Sequence, residues 1–299
     1  MRSLAALVAL AALLAAALAA PAQDGDATTP LEGLATWVDI YDGAVYAAPV
    51  RTARRIAARG VRTVFAETAN DRATVDVVKP VELGRLVDAL HALGIAVVAW
   101  YLPGFDEPAR DLRRTRAMLS FRTPSGVRPL HLSGLRGGRF DAVALDIESP
   151  RLANAALRTK RMLALSRRLR AEADVPVYAI TLPPRMLERR PTAWPGFPWT
   201  ELAALVDGFV PMAYTGSAFR GYEATYGYVA RSLALLRRLT GDPELPIHAA
   251  GGVANRMGAE ELRAFADAVA DDGRVRGWSL YDYATTGPSA WRALAALEP

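Results

Sequence analysis

Short apolar runs recur along the chain at Leu34–Tyr41, Val61–Glu67, Ile95–Tyr101, Phe140–Glu148, Val175–Leu182, Val206–Tyr214, Pro246–Val253 and Val275–Tyr283. They are bounded by turn residues and read as buried β-strands. Between them lie amphipathic stretches: Pro49–Arg59, Pro80–Leu93, Glu107–Phe121, Pro150–Ala173, a short one at Thr200–Leu205, Glu223–Thr240, Ala259–Asp271 and Pro288–Leu297. In Pro80–Leu93 the apolar residues Leu83, Leu86, Val87 and Leu90 fall on one helical face. Proline opens several of these stretches, and Gly60 and Gly94 close two of them, as helix punctuation requires. Eight strands alternating with eight helices predict an α/β protein, a single-domain (β/α)8 TIM barrel over residues 34–299. A doubly wound open sheet is the alternative. It calls for a Gly-rich phosphate loop after the first strand, where this chain has Asp39-Ile40-Tyr41-Asp42.

The N-terminal segment departs from this pattern. Met1-Arg2 is followed by an Ala/Leu run from Leu4 to Ala20, with small-residue cleavage candidates at Ala17-Leu18-Ala19 and Ala20-Pro21-Ala22. Residues 1–22 are expected to be a secretory signal peptide and residues 23–33 a short linker, with the mature protein secreted or held in the cell envelope. An uncleaved membrane anchor is the competing reading. Because the chain has no cysteine, a lipoprotein anchor, a disulfide framework and thiol catalysis are excluded. The net charge of +5 is almost wholly arginine, Lys79 and Lys160 being the only lysines. The arginines are spread along helices rather than gathered in one arm, which suits a solvated surface better than nucleic-acid binding.

Candidate chemistry concentrates in Phe140–Glu148, a strand that ends in two carboxylates two residues apart. Alternation puts Asp146 and Glu148 on one face, with Ala144 below. Ser149-Pro150 then reads as an N-cap and first-turn proline, which would start a helix at once. In a barrel the carboxyl ends of strands share one rim, where such folds keep their active sites. Asp39 and Tyr41, Glu67, Trp100 and Tyr101, Met212 and Tyr214, His248, and Tyr281 and Asp282 are expected to converge there. Aromatic residues in the loops after strands five and six, Trp194, Phe197, Trp199, Phe219, Tyr222, Tyr226 and Tyr228, suit sugar-ring faces or simply pack the loops. Three scattered histidines, His91, His131 and His248, give no metal-ligand spacing, so neither metal nor cofactor is expected.

Phe140 to Glu148 resembles the strand-four signature of glycoside hydrolase family 18, the chitinase-like barrels, with Phe140, Asp141, Asp146 and Glu148 in register. Val210-Pro211-Met212-Ala213-Tyr214 resembles the family's strand-six Met-x-Tyr, and Gly277–Tyr281 its last strand. The chain departs from that pattern at Ala142, Ala144, Ile147, Thr215 and Tyr281, and Ala99-Trp100-Tyr101 stands where the family has Ser-x-Gly-Gly. Asp39 together with Asp146 and Glu148 is also similar to the family 25 muramidases. The resemblance implies a glycosidase in which Glu148 is the acid, Asp146 orients a substrate acetamide and Tyr214 hydrogen-bonds it. Asp39, Tyr41, Glu67, Trp100, Tyr101, Met212, Trp194, Tyr281 and Asp282 would then contact substrate. The expected partner is a polysaccharide or oligosaccharide, N-acetylated ones included. A catalytically lapsed barrel that binds carbohydrate or protein is the alternative, with Ala144 its best support, and the fold alone cannot choose.

Overall fold

The computed structural model describes residues 30–123, 138–215 and 219–297. The expected signal peptide, most of the linker and His131 lie outside these residues. Among the described residues no helix is long and apolar enough to cross a membrane.

All eight expected strands are present, as β1 (Gly33–Val38), β2 (Thr63–Asn70), β3 (Ala96–Leu102), β4 (Ala142–Ile147), β5 (Val177–Thr181), β6 (Gly208–Pro211), β7 (His248–Gly252) and β8 (Gly277–Tyr281). They form one sheet in the order β6-β5-β4-β3-β2-β1-β8-β7. Every pairing is parallel. Bridges from Phe209 to Ile247 and from Met212 to Ala250 join the two edges, so the sheet closes into a (β/α)8 barrel. The helices are α1 (Gly43–Ala47), α2 (Pro49–Ala57), α3 (Pro80–His91), α4 (Pro108–Ser120), α5 (Ala155–Glu172), α6 (Pro184–Arg189), α7 (Trp199–Ala203), α8 (Tyr222–Thr240), α9 (Ala259–Asp272) and α10 (Pro288–Ala295).

Alternation along the strands divides the core in two. Outward side chains such as Val64, Val97, Val143, Val177, Phe209 and Leu280 pack against the helix ring. Inward ones, among them Trp37, Phe65, Val98, Trp100, Ala144, Ile180 and Val210, fill the barrel. Trp37 stacks on Phe65 with ring centroids 4.4 Å apart. Leu31, assigned to the linker by sequence, belongs to this inner cluster and plugs the N-terminal end. No alanine could replace Gly277 there, because an added Cβ would lie 2.1 Å from the Leu31 carbonyl oxygen and 2.6 Å from that of Gly33.

The β4–α5 junction corrects one expectation. Pro150 does not begin a helix; α5 begins at Ala155, capped by Asn154, whose side chain accepts from the Leu157 N–H at 2.9 Å. Ser149 instead accepts from the Arg151 N–H (3.3 Å) and donates to Asp71 (3.2 Å). Both Ser149 and Asn154 are cap-forming residue types, and the later one carries the helix. The stretch between them forms part of the rim.

Candidate active site

The carboxyl ends of the strands bring most of the expected residues to one mouth. Asp39 follows β1, Glu67 lies on β2, Trp100 on β3, Asp146 on β4, and Tyr281 ends β8. Met212 and Tyr214 follow β6. An extra residue, Thr68, interrupts the β2–β3 register just after Glu67, and its hydroxyl donates to the Trp100 carbonyl at 3.0 Å. Such bulges commonly re-aim side chains beside active sites. Glu67, Trp100, Ala144 and Tyr178 are consecutive register partners around the barrel. The Trp100 indole therefore sits in the same layer as the small Ala144.

Asp146 is buried, and among the described residues its Oδ1 has no hydrogen-bond partner. Burial first, then the nearby Glu148 and Glu67 carboxyls, push its pKa well above the carboxylate range. Glu148, half-buried one step past β4, is also raised, by burial and then by Asp71. Glu67 is raised to about 7, mainly by burial, although the Ile40 N–H donates to its Oε2 at 3.1 Å. Among the described residues neither Asp146 nor Glu148 forms an ion pair; the rim arginine Arg185 is held by Glu188 instead. Three carboxyls that resist ionisation at one strand-end rim are the arrangement expected of proton-transfer chemistry.

Glu148 and Tyr214 line a cavity of about 400 Å3 together with Leu182, Pro183, Met186, Arg189, Arg190, Met212, Phe219 and Tyr228. That volume is in the range of small-ligand sites. Burial and the surrounding acids Asp146 and Glu148 push the Tyr214 hydroxyl pKa well up, which keeps it a hydrogen-bond donor. Tyr214 and Tyr281 face each other with ring centroids 5.8 Å apart. On the far side of the mouth the Tyr281 hydroxyl donates to Asp39 Oδ2 at 3.0 Å, and the Tyr41 N–H to Asp39 Oδ1 at 2.7 Å. Carboxylate oxygens of Asp39, Asp42 and Asp282 lie within 4.8 Å of one another, a donor set a hard cation could use. Burial and repulsion from Asp39 and Asp282 raise Asp42 to about 7, opposed in part by Lys79, which also donates to the Ile40 carbonyl. Tyr41 itself is exposed, its hydroxyl accepting from Asn70.

Three expected residues lie elsewhere, and so does Asp141. Tyr101 follows inward-facing Trp100 on the same strand, so it faces the helices, where its hydroxyl donates to Asp111 at 2.6 Å. Trp194 is buried between Phe105 and Phe197, under Arg158, with its indole N–H bonded to Thr159. It packs the loop and does not reach the mouth. His248 begins β7 and so lies at the closed end, hydrogen-bonded to Leu31 and Ser279. Asp141, matched to the strand-four signature, accepts from the Val97 N–H and pairs with His91, a buried brace between β3, β4 and α3. Arg189 and Arg190, at the end of α6, are not among the residues the sequence singles out. Pro183-Pro184 was the available signal for that helix.

No family model matches the chain, and no curated protein matches it in sequence. Its fold is that of solved glycoside hydrolase barrels. The chitinase from Chromobacterium violaceum ATCC 12472 superposes with a TM-score of 0.60 at 13% identity, covering 90% of this chain and 100% of that one. The spore cortex-lytic enzyme SleL of Bacillus megaterium QM B1551 gives 0.58 at 10%, covering 90% and 74%. The endo-beta-1,4-mannanase of Thermotoga petrophila gives 0.62 at 10%, covering 90% and 76%. At such identities the likeness establishes the (β/α)8 fold.

Proposed function

We propose that this chain is an exported glycoside hydrolase acting on a polysaccharide, with Glu148 as general acid. The observation that carries the reading is Glu148 itself. It has a raised pKa, lines the cleft beside Tyr214, and follows a buried Asp146 that has an unpaired oxygen. Glycoside cleavage needs an acid to protonate the leaving oxygen and a second group to stabilise the oxocarbenium-like sugar. A raised pKa favours the protonated form of Glu148, the form that can donate to a leaving oxygen. Asp146 and Tyr214 are placed to position a reacting group, such as a substrate acetamide. Ala144 leaves Asp146 without a carboxylate directly below it, and Glu67, which acts on Asp146 through space, is the nearest substitute. The solved barrels of similar fold, named as a chitinase, a cortex-lytic enzyme and a mannanase, support a polysaccharide substrate. The Ala/Leu leader supports export.

Ala144 favours a second reading, a lapsed barrel that still binds carbohydrate. Release of reducing ends from chitin, peptidoglycan and neutral glycans separates the two. The hydrolase reading expects turnover by the wild type and a loss of about 10²–10⁴-fold in Glu148→Gln, since glutamine keeps the shape but delivers no proton. Equal activity in Glu148→Gln would falsify the assignment. Binding without wild-type turnover would favour the lapsed barrel. N-terminal sequencing of exported protein should find a start near Ala20–Gln23, and a start at Arg2 would contradict processing.

A further inference from the structure

We infer that the cleft over Glu148 takes a polysaccharide bearing carboxylates, recognised by Arg189 and Arg190. The inference rests on the glycosidase reading and names the substrate class for that site. Both arginines line the same cavity as Glu148, and among the described residues neither forms an ion pair. Arg189 lies over the Phe219 ring, 5.3 Å from its centroid, and Phe219 in turn stacks on Tyr228 at 4.1 Å. A guanidinium held by its face keeps its N–H edge available for a planar oxyanion.

The neighbouring charges reinforce this. Glu188, the one carboxylate of α6, is already held by Arg185 at 2.5 Å and Arg231 at 2.9 Å, and those bonds lower its pKa to about 2. It is not free to neutralise Arg189 or Arg190. A second cavity, lined by Arg185, Arg189, Arg231 and one acid, Glu223, shares Phe219 and Tyr228 with the first, so arginines outnumber acids along this wall. The opposite side of the mouth carries Asp39, Asp42, Glu67 and Asp282. A neutral glycan gains little from two unpaired guanidiniums, whereas a carboxylate can pair with them through charge-assisted bonds. The carboxylate could belong to a uronate ring or to the lactyl ether of a muramyl unit; the chemistry at the arginines is the same.

Calorimetric titration of Glu148→Gln protein, which leaves the ligand uncut, tests the inference. The probes are oligogalacturonate, oligoalginate, a muramyl-containing tetrasaccharide and, as the neutral control, chitotetraose. At least one anionic probe should bind about tenfold more tightly than chitotetraose, the scale of one or two charge-assisted hydrogen bonds. Which of them does so identifies the source of the carboxylate. Adding R189Q and R190Q should abolish that advantage without moving chitotetraose affinity, and salt should shrink it. If no anionic probe outbinds chitotetraose, or if the advantage survives R189Q/R190Q, the inference is overturned. The readout is binding, so it can fail while hydrolysis stands, and it remains readable if the wild type shows no turnover.

Discussion

The two ends of the barrel both hold polar side chains against an apolar interior, yet they treat them differently. At the closed end the polar groups of Trp37, His248 and Ser279 are matched to one another and to Leu31. The Trp37 indole N–H donates to Ser279 Oγ at 2.9 Å, and His248 contacts Ser279 Oγ and the Leu31 carbonyl, each at 2.9 Å. A carbonyl can only accept, so Nδ1 carries the proton and Nε2 accepts from the serine. Burial lowers the His248 pKa to about 4, so the ring is neutral and each partner has one role. At the mouth, by contrast, Asp146 Oδ1 and Trp100 Nε1 lack partners among the described residues, and Glu67, Asp146 and Glu148 all resist ionisation. Satisfied polar groups hold the barrel together. At the mouth, Asp146 and Trp100 keep unmatched polar atoms at a cost in stability, open to a ligand.

That contrast can be broken most severely at the closed end. Trp37→Ala removes a fully enclosed ring stacked on Phe65 and should cost about 3–5 kcal/mol, read as a shift in the denaturant midpoint. A loss under about 1 kcal/mol would mean the inner cluster is not the core described here. A second effect depends on pH. Glu67 titrates near 7 when folded against 4.5 for the free side chain, so the folded state binds the extra proton between those values. Its stabilising effect is complete below pH 4.5, is lost as pH rises through about 7, and amounts to about 3 kcal/mol. Thermal melts across that window should fall for the wild type and less steeply for Glu67→Gln, in which Asp42 still titrates near 7; parallel slopes would contradict the assignment to Glu67.

A smaller effect sharpens the comparison directly. Ser279→Ala strands both the Trp37 N–H and His248 Nε2 and should cost about 1–3 kcal/mol. Asp146→Asn removes a carboxyl whose ionisation is opposed by burial and then by Glu148 and Glu67, so stability should be unchanged or slightly higher while turnover falls. If Asp146→Asn destabilised the fold as much as Ser279→Ala, the two ends would not differ in kind.

Most of this division was legible in the sequence because it rests on period. Apolar runs and proline–glycine punctuation specify the alternation of strands and helices, and the step of two puts Asp146 and Glu148 on one face. The same parity argues against placing Trp100 and Tyr101 together at the mouth, since neighbours on a strand face opposite ways. Loops have no period, so Trp194, a buried packing residue, looked like a sugar platform. The run Pro246–Val253 does not reveal that β7 starts only at His248, which puts His248 at the other end. Arg189 gains meaning only from Phe219, 30 residues on in the chain and close only in the fold.

At the mouth, burial and then Asp71 raise the pKa of Glu148, the group proposed as the acid. Carboxyl carbon NMR of glutamate-labelled protein, titrated with pH and assigned by the resonance lost in Glu148→Gln, measures this without any substrate. Glu148 is expected to titrate above the ordinary value of 4.5 and to move downward in Asp71→Asn, because burial first and then the Asp71 charge raise it. A Glu148 resonance that titrates at the ordinary value, unmoved by Asp71→Asn, would contradict it.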